Sequence, residues 1–171
     1  MKSTVTVKHK SKSEAVIKAL QTLQKSSVEV GYAHDARKNE RKGADITNAQ
    51  LAYIHEHGSP LRGLPARPFL VPGVKSRKSA LVSKLKVACQ AALSGEEGSV
   101  TRLLEQAGSV ARSVVQNYIR TAPFTPLKDT TIRKRLRGKS KGQREAIQPF
   151  QRPLQDTGAM RDAVDYRVRR R

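Results

Sequence analysis

Residues 74–120, VKSRKSALVSKLKVACQAALSGEEGSVTRLLEQAGSVARSVVQNYIR, decide the fold. Two helical patterns sit on either side of a glycine-rich break. In 74–93, Val74, Leu81, Leu85, Ala88 and Ala92 fall on one stripe at helical spacing. In 99–120, Val100, Leu103, Leu104, Ala107, Val110, Ala111, Val114 and Tyr118 do the same. Gly95 and Gly98 in the SGEEGS turn disfavour one continuous helix and favour an antiparallel pair. Glu96 and Glu97 stand where a carboxylate suits the dipole of the second helix.

Outward from this pair the pattern changes. Residues 3–9 (STVTVKH), 27–33 (SVEVGYA) and 165–170 (DYRVRR) alternate and carry β-branched or aromatic side chains, which predicts three short strands. Residues 13–24 place Val16, Ile17, Leu20 and Leu23 on a helical face, with Ser11 or Ser13 as N-cap. Residues 47–57 read as a helix capped by Thr47 and ended by Gly58, with Leu51 and Ile54 inward and Ala52 and Tyr53 beside them. The stretch 58–73, GSPLRGLPARPFLVPG, is too rich in proline and glycine for a helix and reads as an extended connector. Asp129 or Thr130 caps a short basic helix to about Arg137, and one or two helical turns fall within 157–164. Segments 34–46 and 138–155 are polar and read as long loops or arms. The expected fold is α+β: a small, mostly antiparallel sheet packed with two longer helices, in one domain spanning 1–171.

Charge is the strongest compositional signal. The 171 residues hold 34 Lys+Arg against 14 Asp+Glu, a formal net charge of +20. Such a chain suits an anionic partner: nucleic acid, an acidic protein surface or a membrane surface. Residues 128–171 carry much of the excess: Arg133, Lys134, Arg135 and Arg137 cluster, and Arg169, Arg170 and Arg171 close the chain. With no Trp and three Phe, aromatic platforms for single strands are scarce.

Chemistry is poorly represented. His55 and His57 flank Glu56, but two residues on a helix are about 200° apart, so the pair does not chelate as an i, i+4 pair does. They read as solvated polar residues, and no metal site is expected. The single cysteine, Cys89, reads as a small core residue and leaves no intrachain disulfide. No P-loop, dinucleotide fingerprint or nucleophile elbow is present. The expectation is a non-enzyme without cofactor. No apolar run reaches membrane-spanning length, and the N-terminus lacks the apolar core of a signal peptide, which predicts a cytoplasmic start and no membrane partner.

Four segments carry a resemblance: VEVGYAHDA (28–36), AQLAYIHEHGSPLRGLPARPFLVPGV (49–74), PLKDTTIRKR (126–135) and LQDTGAMRDAVDYRV (154–168). In this order the chain resembles the tail-completion and head–tail-joining neck proteins of long-tailed bacteriophages. The motifs Pro65-Ala66-Arg67-Pro68-Phe69 and Asp156-Thr157-Gly158-Ala159-Met160-Arg161 are the most specific. The chain departs from the family pattern at His57, where an aromatic is usual, at Met160, where Leu is common, and in its basic excess.

The resemblance implies a structural virion protein. Its copies form a homo-oligomeric, hexameric ring at the phage neck. That ring meets tail-tube or tail-terminator proteins on one side and head-connector proteins on the other, with the packaged DNA as a further contact. Arg67, able to grip a carboxylate, Phe69, able to anchor on the core, and Arg161, able to pair with a neighbour, are candidate interface residues. Arg133, Lys134, Arg135, Arg137, Arg169, Arg170 and Arg171 join them on charge. Each also has a purely structural reading. The alternative is a cytoplasmic protein that binds nucleic acid without sequence preference.

Overall fold

A computed structural model describes residues 12–32, 39–41, 44–145 and 152–170. Among them are eight α-helices and one two-stranded antiparallel sheet, an α+β arrangement dominated by helix. The order is α1 (Lys12–Gln24), β1 (Ser26–Tyr32), α2 (Asn48–His57), a 3-10 turn (Pro60–Arg62), α3 (Leu70–Ser76), α4 (Lys78–Leu93), α5 (Glu97–Thr121), α6 (Asp129–Leu136), α7 (Lys141–Glu145), α8 (Ala159–Asp162) and β2 (Val164–Arg170).

The described residues divide into two compact units. Those of Met1–Glu29, Ser79–Gly108 and Arg167–Arg171 form one, and those of Val30–Lys78 and Ser109–Tyr166 form the other. The core of the first is small-residue packing: Ala19 of α1, Ala88, Ala91 and Ala92 of α4, and Val100 and Leu104 of α5. Val28 and Val168 of the strands pack on it. Gly95, at φ +78°, turns the chain from α4 into α5, and a side chain there would press on Ala15 at 3.1 Å. Thr22 donates a hydrogen bond to Glu97 and Lys18 forms an ion pair with it, so the carboxylate opening α5 is held in place.

The second core is built around larger groups. Phe69, Val115, Ile119, Leu154, Met160 and Val164 are buried with Ala52, and Val30, Tyr32, Leu51, Val74 and Phe124 close over them. Burying Phe69 alone is worth about 2–3 kcal/mol.

Several expectations need correction. The strand read at 3–9 lies outside the described residues, so the described sheet has two strands. The helix read at 74–93 is two helices, α3 and α4, meeting at Arg77. Helix α3 begins at Leu70, inside the supposed connector, because Pro72 lies in its first turn, where proline is tolerated. Gly73 is buried there. A Cβ would lie 3.3 Å from Tyr118 Cβ and 3.4 Å from Val115 Cα, so the glycine sets how closely α3 approaches α5. The loop read at 138–155 contains α7, whose start is fixed by reciprocal bonds between Ser140 and Gln143. The loop read at 34–46 lies mostly outside the described residues.

Cys89 is exposed, not core, because the buried stripe of α4 runs through Leu81, Ala88, Ala91 and Ala92. In α5 the buried positions include Val115 and Ile119, while Val114 is only partly covered. Tyr53 is 68% exposed and lies against the His57 ring, with centroids 4.5 Å apart.

Candidate functional site

The connector between α2 and α3 is held by backbone and side-chain hydrogen bonds along its length. Helix α2 starts with a capping box: Thr47 Oγ1 accepts from the Gln50 N–H, and Gln50 Oε1 accepts from the Thr47 N–H. It ends at Gly58, φ +78°, whose missing Cβ would stand 2.8 Å from the Ala66 nitrogen. The chain then makes a 3-10 turn, closed by paired backbone bonds between Ser59 and Leu64, and folds back. The Arg67 N–H donates to the His55 carbonyl at 2.7 Å, which docks the segment against α2.

This return delivers Phe69 to Glu56. The Glu56 carboxylate accepts from the N–H groups of Phe69, Leu70 and Val71 at 2.7, 2.9 and 3.3 Å. It caps α3 from another helix, since Phe69 in the N-cap position offers no side-chain acceptor. Sequence reading treated Glu56 as a solvated residue between two histidines. The available signal was a helix start at Leu70 with no capping residue of its own.

Arg67 is 5% exposed. Its guanidinium does not grip a carboxylate. Nε donates to the Thr125 carbonyl at 2.7 Å and Nη2 to the Pro126 carbonyl at 2.9 Å. Burial lowers its pKa, and nearby Arg135 adds to the effect. His55 is partly buried and not the solvated residue expected. Burial, reinforced by Arg67, Arg41 and Arg135, lowers its pKa to about 4, so the ring is neutral at neutral pH. Tyr32 donates its hydroxyl to the Met160 carbonyl at 3.0 Å and packs edge-on against Phe69. Burial raises its pKa, and the Glu56 carboxylate raises it further.

The other candidate residues separate into two groups. Arg135 turns inward, toward Asp156 at 3.6 Å and the Arg152 carbonyl at 3.3 Å. Arg161 pairs with its neighbour Asp162 at 2.7 Å, and that hydrogen bond raises its pKa. Arg169 reaches Glu29 at 3.5 Å, and Arg170 donates to Thr101 Oγ1 at 2.7 Å. Arg171 lies outside the described residues.

Arg133, Lys134 and Arg137 instead face solvent. With Leu136 and Arg144 they line an open cleft of ≈ 480 Å³. Arg144 was missed because α7 was read as loop. Among the described residues these four cations make no ion pair or hydrogen bond.

Among the described residues no three His, Cys, Asp or Glu side chains converge as a metal site would require, and no described helix is long and apolar enough to cross a membrane. No protein family, curated protein or solved structure matches the chain.

Proposed function

We propose that this chain is a structural subunit of the neck of a long-tailed bacteriophage, assembling as a ring that completes the tail and joins it to the head connector. One observation carries the reading. The four segments that resemble the neck family each place residues in the second packed unit. Tyr32, from the first, touches Phe69 of the second and Met160 of the fourth. Arg67 of the second holds Pro126 of the third. Arg135 of the third reaches Asp156 of the fourth. The contacts are those that one packed domain of that family would make. The charged groups near the core bind backbone amides and carbonyls, a buttressing arrangement that supports a structural role.

The test is immunogold electron microscopy of particles from a lysate that contains the protein. Label concentrated at the head–tail junction is the expected result. Particles free of label, in a lysate where the antigen is abundant and accessible, overturn the neck reading and leave the soluble nucleic-acid binder.

A further inference from the structure

The fold uses most of its candidate arginines internally and leaves one set unused. Arg133 and Lys134 of α6, Arg137 at its C-cap and Arg144 of α7 line a cleft with Leu136, and among the described residues no carboxylate joins them. The turn between the helices is fixed by Gly138 at φ +80° and by the Lys139 N–H bonded to the Leu136 carbonyl. Arg133 and Arg137 are an i, i+4 like-charge pair, a mildly destabilising arrangement. In the same helix Arg135 is paired inward, so the outward cations are not a by-product of a uniformly solvated helix.

From this geometry we infer that the cleft binds the phosphodiester backbone of duplex nucleic acid, without reading its sequence. Two features favour a phosphate backbone over an acidic protein surface. Most of the lining cations are arginines, whose planar fork suits phosphate oxygens. Among the described residues Leu136 is the only apolar side chain in the lining, whereas protein interfaces centre on apolar and aromatic anchors. The lining has no aromatic ring on which an unpaired base could stack, which favours duplex over single strand. This inference stands on the cleft alone and not on a place in a particle.

The experiment is fluorescence anisotropy of the full chain with a labelled 20-base-pair duplex of arbitrary sequence, across a salt series. The triple variant R133E/R137E/R144E is compared with K78E/K84E/K86E, which removes the same charge from exposed positions of α4. The cleft variant should bind at least tenfold more weakly at a fixed salt concentration. Its slope of log affinity against log salt should fall by about three. The α4 variant should change less than about threefold. R133K/R137K/R144K should recover binding to within a few-fold, with circular dichroism reporting the fold of each.

Equal losses in the two reversal variants would reduce the effect to the general field of a basic protein and overturn the cleft. So would unaltered binding by the cleft variant, or no binding by the unmodified chain. Cleft-dependent binding of poly-glutamate without cleft-dependent binding of duplex would assign the surface to an acidic protein instead.

Discussion

The carboxylate of Glu56, in the last turn of one helix, sits 2.7 Å from the backbone nitrogen of Phe69, at the start of another. One side chain therefore ends the Pro65–Phe69 connector, supplies the cap that α3 lacks and fixes the entry of Phe69 into the core. Replacing it removes an acceptor from three N–H groups. E56A should lose about 1–2 kcal/mol of stability in urea denaturation. E56Q, which keeps one carbonyl oxygen but not the charge, should lose less. Equal stability of E56A and the parent chain would show that α3 needs no cap from α2.

Arg67 makes a second, separable prediction. It spans two carbonyls, and the shorter, unforked ammonium of lysine is poorly matched to both. R67K should destabilise by about 1 kcal/mol, and R67M, which leaves both carbonyls without their donor, by about 2–3 kcal/mol. A reversed order in thermal or chemical melts would mean that stem packing, and not the bidentate clasp, is what Arg67 contributes.

His55 gives the fold a pH signature. Its ring is neutral in the folded chain down to about pH 4, whereas an unfolded histidine takes up its proton near pH 6.5. Between these values the unfolded state binds more protons, so stability rises with pH and the contribution is lost as the solution is acidified from 6.5 toward 4. Discounted for the ring's partial exposure, the change is on the order of 2 kcal/mol. H55Q should flatten this part of the stability profile, read from urea midpoints at a series of pH values. A profile as steep in H55Q as in the parent would assign the slope to other groups.

What the sequence disclosed depended on how local the cause was. Thr47 and Gly58 bound α2 through bonds to residues within a few positions, and both were legible. The strands at 26–32 and 164–170 followed from alternation, and Phe69 was recognisable as a core anchor. The misreadings share a different cause. Cys89 and Tyr53 lie on helices that were correctly expected, but which face is covered depends on what packs there from elsewhere in the chain. Glu56 and Arg67 look like surface charges until a connector folds back on α2 and the 125–126 carbonyls arrive. Arg144 joins the cleft only because a short helix forms where polar sequence suggested loop.

The chemistry of the cleft also determines what can regulate it. Its cations are three guanidinium groups and one ammonium, and among the described lining residues no carboxylate offsets them. The reach of that field is set by the surrounding electrolyte, because the Debye length shrinks from about 10 Å at 0.1 M to about 3 Å at 1 M. Counterions, including the polyamines and divalent cations that accompany nucleic acids, are thus the natural rheostat for this part of the molecule.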